Sequence, residues 1–164
     1  MLNKFTPIDQ LLKAAKRGEI FILVDDERRE NEGDLVFLGE KCSPIKINFM
    51  AKYGRGLICL ALDKKQSSKL GLKLMPSSNF SRFSTAFTVS IEARRGVTTG
   101  ISAYDRSKTI LTAIKKNSSK KDIVTPGHIF PLVSRDGGVL IRAGHTEASV
   151  DIAKLTKKNP SAVI

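Results

Sequence analysis

Residues 20–38 read Ile20-Phe21-Ile22-Leu23-Val24-Asp25-Asp26-Glu27-Arg28-Arg29-Glu30-Asn31-Glu32-Gly33-Asp34-Leu35-Val36-Phe37-Leu38. Two short apolar runs, 20–24 and 35–38, flank a highly charged stretch, and such runs predict strands. Two strands in succession with no helix between them break the βαβ rhythm of a parallel sheet. Upstream, Thr6-Pro7-Ile8-Asp9 predicts a helix with Thr6 as N-cap and Pro7 at its first position. Ile8, Leu11, Leu12 and Ala15 form its apolar stripe, and Gly18 ends it. Downstream, Ser43-Pro44 starts a second helix that stops before Gly54, residues 57–62 read as a buried strand, and residues 87–91 alternate as another. The Ser- and Lys-rich stretch 66–83 predicts a helical turn near Leu70 and then a surface loop. Ser102-Ala103-Tyr104-Asp105 carries a capping-box pattern with Asp in place of Glu, opening a helix with Ile110, Leu111 and Ile114. Residues 115–122 read as a polar connection. Residues 129–133 and 138–141 predict a hairpin turning at Ser134-Arg135-Asp136-Gly137, and Thr146 is positioned to cap a last helix. Helices and strands mixed in this way give an α+β fold.

The chain has 164 residues and 18.0 kDa, enough for one domain and too few for two. No apolar run approaches the roughly 20 residues that cross a bilayer. Residues 1–16 carry Lys4, Asp9, Lys13 and Lys16 with no apolar h-region, so no signal peptide is expected and a cytoplasmic location is the default. Cys42 and Cys59 lack metal-type spacing and are expected to be free thiols. The 28 basic and 16 acidic residues give +12, a surface that attracts phosphates of any kind. The lysine pairs are scattered and without interleaved aromatics, which speaks against specific nucleic-acid recognition and for a solvated basic face.

Against that basic background, six of the sixteen acids fall within residues 25–34. Packed carboxylates repel one another unless a cation, an arginine or water compensates, and hard divalent ions take such oxygen ligands. Arg28 and Arg29 in the same stretch suit a phosphate or sugar hydroxyl. A solvated acidic loop with local ion pairs accounts for the run equally well. The two histidines, His128 and His145, each follow a glycine. His145 sits where a strand passes into a helix N-terminus, a place that favours anions, with Arg142 near enough in sequence to add a bidentate contact. Thr98-Thr99-Gly100 precedes the helix at Ser102 and offers hydroxyls to an oxygen-rich ligand or, more simply, to the helix cap. Cys59 reads as a buried small hydrophobe.

Taken together and in order, four stretches resemble the 3,4-dihydroxy-2-butanone 4-phosphate synthase family. They are residues 25–34, Thr98-Thr99-Gly100-Ile101-Ser102-Ala103-Tyr104-Asp105-Arg106, Pro126-Gly127-His128-Ile129-Phe130-Pro131-Leu132, and residues 137–148 through Arg142-Ala143-Gly144-His145-Thr146-Glu147-Ala148. The resemblance covers nearly the whole chain. It implies a compact α+β sandwich, a homodimer with active sites near the subunit interface, and conversion of D-ribulose 5-phosphate to the four-carbon phosphate and formate in riboflavin biosynthesis. It implies two divalent ions, Mg2+ or Mn2+, held by Glu30 and His145, and no organic cofactor. Arg29, Glu30, Asp34, Thr99, Arg142, Ala143, Gly144, His145 and Thr146 would contact the sugar phosphate, with Cys59 close to its pocket. His128 and Asp34, the latter aided by Glu32, would carry the catalytic proton transfers.

The chain departs from the family pattern at its end. After Ile164 the family continues into Cys-Glu, whose glutamate belongs to the catalytic set, so residues 1–164 read as a single synthase domain without its usual C-terminal portion. Arg28, Tyr104 and Lys157-Lys158 also stand where the family usually has other residue types. Two further readings remain at this level: a basic phosphate- or RNA-binding relative without turnover, and a segment that belongs beside a GTP cyclohydrolase II domain.

Overall fold

The structure, a computed structural model, describes residues 5–76 and 85–164. The part of the expected surface loop that falls between them lies outside the described residues. Helix α1, Ile8–Arg17, ends at Gly18 in the left-handed conformation, whose N–H donates to Ala14 O and Ala15 O. Its N-cap is Pro7, one residue later than expected. Pro7 takes the extended conformation required before a helix, and no side chain caps α1. Strands β1, Phe21–Val24, and β2, Gly33–Leu38, pair antiparallel as an adjacent couple. Helix α2, Pro44–Phe49, begins at Ser43, whose Oγ accepts Lys46 N–H, and runs on into a π-helical turn over Met50–Gly54. Strand β3, Cys59–Leu62, starts after the exposed Leu57, and α3 covers Lys64–Lys69.

Strand β4 is Ile91–Ala93, later than the expected 87–91; Phe87 and Thr88 make only isolated bridges to Leu132 and Leu74. Helix α4, Ala103–Ala113, is capped by Ser102 Oγ at 3.0 Å from Asp105 N. The expected capping box is half formed. Asp105, a methylene shorter than Glu, instead turns its carboxylate to Thr98 Oγ1 and Gly100 N, at 2.7 and 3.1 Å. Strand β5 spans Ile123–Val133, α5 spans His145–Leu155, and β6 is Ser161–Val163.

The strands form one mixed sheet in the order β1-β2-β6-β3-β5-β4. Among the described strands only β3 and β5 pair in parallel. The hairpin expected after β5 is absent because both flanks of β5 are taken, by β3 and β4. Gly137 and Gly138, at φ 90° and 62°, turn the chain away into a 3-10 turn over Gly138–Leu140, pinned where Val139 N–H donates to Asp151 of α5 at 2.9 Å. The last strand closes the sheet's interior. β6 bonds β2 on one side and β3 on the other, and the pairing runs on to Ile164, whose N–H donates to Cys59 O at 3.0 Å.

Neighbouring residues of a strand face opposite ways, and β2 shows it. Phe37 packs with Ile47 and Met50 beside α2 and with Ile110 and Ala113 of α4. Leu38 packs on the other face with Ala15 of α1 and with Ile152 and Ala153 of α5. The sheet is therefore clothed on both faces, and fully burying each such large side chain contributes about 1.5–3 kcal/mol. No helix among the described residues is long and apolar enough to cross a membrane.

Candidate active site

The loop between β1 and β2 folds around one carboxylate. Asp25 Oδ1 accepts Glu32 N–H at 2.9 Å, and its Oδ2 accepts Glu30 N–H at 3.1 Å and Arg29 Nη1 at 2.6 Å. Arg29 spans two acids, since its Nη2 lies 3.0 Å from Glu30 Oε1. Burial pushes the Asp25 carboxyl up, but the Glu32 amide, the Arg29 guanidinium and the Glu30 amide outweigh it and hold it below the usual carboxylate range. The acidic run is thus a tied loop rather than a freely solvated one, and it turns Glu30 and Asp34 toward the first turn of α5.

There His145 Nδ1 stands 3.3 Å from Asp34 Oδ2 and 4.0 Å from Glu30 Oε2. His145 is buried, and its Nε2 is sealed with no hydrogen-bond partner among the described residues, so Nδ1 is the nitrogen presented to the carboxylates. Asp25, Glu30 and His145 each offer one donor atom within 4.8 Å of the others. An ion with bonds of about 2.1 Å joins donors up to about 4.2 Å apart. Glu30 Oε2 and His145 Nδ1, 4.0 Å apart, fall inside that limit, and a carboxylate facing an imidazole is a donor pair that fits a divalent ion, with Asp25 held beside them by the Arg29 guanidinium and two amides. Burial raises the Asp34 carboxyl; the facing His145 pulls it partly back, while the charges of Glu30 and Asp25 push it further up.

Arg142 approaches from the opposite wall. Its Nη1 donates to Glu147 Oε2 at 2.6 Å and its Nη2 to Thr85 Oγ1 at 3.0 Å. Glu147 is 1% exposed, and its other oxygen accepts Arg135 N–H at 2.9 Å. The N-cap of α5 is Gly144, not Thr146 as expected, and no side chain among the described residues caps it. A Cβ at Gly144 would overlap Arg142 Nη1 and stand 2.9 Å from Glu147 Oε2, so the ion pair takes the space a capping side chain would need. The first amides of α5 remain available to an anion.

Arg29, Glu30, Glu32, Asp34, Cys59, Arg142, His145 and Thr146 all line one cavity of about 330 Å3, closed by Phe87, Leu132 and Ile164 among others. Burial, then the charge of Asp34, pushes the Cys59 thiol up to about 12, so it stays protonated as part of the wall. Thr99, His128, Ala143 and Gly144 do not line this cavity. Thr99 and Ala143 are exposed, and Gly144 is buried beneath Arg142. A larger cavity of about 720 Å3 lies elsewhere, between Leu70, Val89, Arg94 and Ile123, and has neither carboxylate nor histidine in its lining. Sequence reasoning missed Thr85 and Glu147 as site residues and singled out Asp25 only as part of the acidic run. Asp25 had a signal as the first residue after a strand in the acidic run, and Glu147 as an acid in the first turn of α5. Thr85 had none.

The model of the 3,4-dihydroxy-2-butanone 4-phosphate synthase family matches residues 9–164. The chain belongs to that family. A synthase of this name from Photobacterium phosphoreum is 55% identical over 155 residues, spanning 94% of this chain and 43% of the relative. One from Wigglesworthia glossinidia brevipalpis is 46% identical and spans 96% and 74%. The chain therefore spans less than half the length of several synthases it matches. Among solved structures, a 3,4-dihydroxy-2-butanone 4-phosphate synthase in complex with two magnesium ions superposes with a TM-score of 0.94 at 38% identity, covering 97% of this chain and 74% of that one. A two-domain synthase from A. baumannii gives 0.92 at 44% identity, covering 96% and 46%. The synthase fold is thus the fold of this chain, an α+β sandwich around one mixed sheet.

Proposed function

We propose that this chain converts D-ribulose 5-phosphate to 3,4-dihydroxy-2-butanone 4-phosphate and formate, a lyase step of riboflavin biosynthesis. The observation that carries the reading is the meeting, in one cavity, of the Glu30–His145 donor pair, the raised Asp34 carboxyl and the uncapped start of α5 beside Arg142. Glu30 and His145, with Asp25 beside them, would hold Mg2+ or Mn2+, two ions in the full site; a related synthase is known in complex with two magnesium ions, which supports divalent binding. A divalent ion there lowers the cost of negative charge developing on the substrate's oxygens.

The remaining work falls to the chain's own groups. The α5 amides, Thr146 and Arg142 bind the phosphate, and so fix the sugar's carbons relative to Asp34. Asp34 takes the proton next to the carbonyl; its raised pKa brings it nearer the operating pH, where a general base is most effective. Glu32, on the exposed rim, relays protons to water. Apolar Leu132 and Phe87 with the protonated Cys59 keep bulk water from the enediol. No organic cofactor is required for these steps.

Thr99 and His128 stand apart from the cavity of their own chain. A cytoplasmic homodimer with active sites near the subunit interface would bring His128 of one subunit to the cavity of the other. Ile164 lines the cavity, so the Cys-Glu that follows in the family would enter at that wall. The test is formate release from D-ribulose 5-phosphate by the folded chain, with Mg2+ and then with EDTA. Release abolished by EDTA is the expected result; none from a folded, Mg2+-loaded dimer would refute the assignment for this chain.

A further inference from the structure

Away from the cavity, His128 is gripped by a buried carboxylate. Its Nδ1 lies 2.7 Å from Glu92 Oε2. Glu92 is 8% exposed, whereas the His128 side chain is 41% exposed. Thr109, fully buried in α4, donates its hydroxyl to Glu92 Oε1 at 2.9 Å and accepts Ala93 N–H at 3.0 Å. The fixed donor at one end, the Ala93 amide, orients the rest of this chain of hydrogen bonds. An amide can only donate to Thr109, whose hydroxyl proton then goes to Glu92, and an ionised carboxylate can only accept from His128.

The backbone is shaped to make the pair. Ile91 lies opposite Ile129, yet Glu92 lies opposite Val124, so residues 125–128 bulge out of β5. A bulge re-aims a side chain, and here it directs His128 onto the next residue of β4. Gly127 passes so close to β4 that a Cβ would overlap the Ile91 carbonyl, and its N–H donates to Ser90 Oγ at 3.1 Å. Gly100, at φ +88°, closes the other side: a Cβ there would overlap the Glu92 carboxylate and stand 2.7 Å from His128 Nδ1. Nδ1 is enclosed, and Nε2 is the nitrogen left to act.

We propose that Glu92 is a positioning residue that accepts the Nδ1–H of His128 and fixes the imidazole with its lone pair on Nε2, ready to take a proton. The part of this that concerns turnover rests on His128 acting in the reaction above. Glu92→Gln puts an amide opposite Nδ1; its NH2 donates where the carboxylate accepted, and the imidazole proton moves to Nε2. In the Ser-His-Asp triad the corresponding Asp-to-Asn change costs about 10⁴ in turnover for this reason.

Imidazole-15N labelling tests the pair directly, because the chain has two histidines and a His145→Asn variant assigns both. Long-range 1H–15N correlation of the wild type should show neutral His128 protonated at Nδ1, and of Glu92→Gln protonated at Nε2. Glu92→Gln should lower kcat about 100-fold or more with KM unchanged, and Glu92→Asp, which keeps the acceptor, should recover most of it. A wild-type His128 protonated at Nε2 overturns the proposal, and so does a Glu92→Gln enzyme with the wild-type tautomer and kcat. The wild-type spectrum decides the pair even where Glu92→Gln does not fold. A wild type with Nδ1–H that releases no formate would sink the proposed reaction and leave the pair established.

Discussion

Arg142→Met and Glu147→Ala break one ion pair from opposite ends, and the structure makes the two losses unequal. Removing one partner of a buried pair costs about 3–5 kcal/mol, because the other charge stays behind without compensation. After Glu147→Ala the remaining cation is Arg142, 16% exposed, lining the cavity and still bonded to Thr85, so water and a hydroxyl offset part of the cost. After Arg142→Met the remaining anion is Glu147, with a side chain only 2% exposed. The Arg135 amide and the start of α5 help it, but a helix dipole contributes only about 0.3–1 kcal/mol. Glu147→Ala should therefore fall near ~3 kcal/mol and Arg142→Met near ~5 kcal/mol. The double variant leaves no stranded charge and should cost less than the sum by up to about 3 kcal/mol. Urea unfolding of the four proteins measures this: with m near 1–3 kcal/mol/M, a loss of ~3 kcal/mol moves the midpoint by about 1–3 M. Additive single costs, or a larger cost for Glu147→Ala, would refute the reasoning.

Two further outcomes are expected. Glu30→Gln should weaken Mg2+ binding, followed by calorimetry, by at least about tenfold while leaving circular dichroism unchanged; equal affinity would remove Glu30 from the ion site. In EDTA, the raised Asp34 carboxyl binds its proton more tightly in the folded than in the unfolded chain. Its contribution to stability is therefore greatest below the unfolded value near ~4 and declines as pH rises from there through the folded value. Asp34→Asn should abolish that decline, leaving the protein at pH 7 no less stable than wild type while turnover is lost, and a variant less stable at pH 7 would contradict the burial argument.

The sequence announced β1 and β3 because each is an uninterrupted apolar run and β2 by its apolar second half, residues 35–38, and it announced α2 and α4 because Ser43 and Ser102 cap them in fact. It concealed β6. Ser161–Val163 is three residues long and becomes a strand only because β2 and β3 leave a gap that it fills. The first half of β5, ahead of the expected 129–133, was hidden for a similar reason: Pro126 and Gly127 are uncommon inside a strand, and here they belong to a bulge beside β4. Of the site, the acidic run and the Gly-His segments were legible as chemistry, while their assembly came from family resemblance. The Glu92–His128 pair spans 36 residues and depends on where two strands slip register, which no local pattern encodes.

The cavity's charges run against those of the chain as a whole. A protein of net charge +12 sets Glu30, Glu32 and Asp34 in one small cavity, with Asp25 behind them, and both arginines that line it are already engaged. Arg29 is shared between Asp25 and Glu30, and Arg142 is tied to Glu147. Neither brings a whole uncompensated charge to a sugar phosphate. In the proposed reaction Arg142 would serve more to place the phosphate than to neutralise it, and the uncapped amides of α5 would supply much of the attraction. That explains why Gly144 is a helix start without a capping side chain: a Ser or Asp there would satisfy the amides itself and would collide with Arg142. The surplus of positive charge lies outside, where it can draw anions toward the molecule, and in the proposed reaction the carboxylates inside would hold cations and move protons.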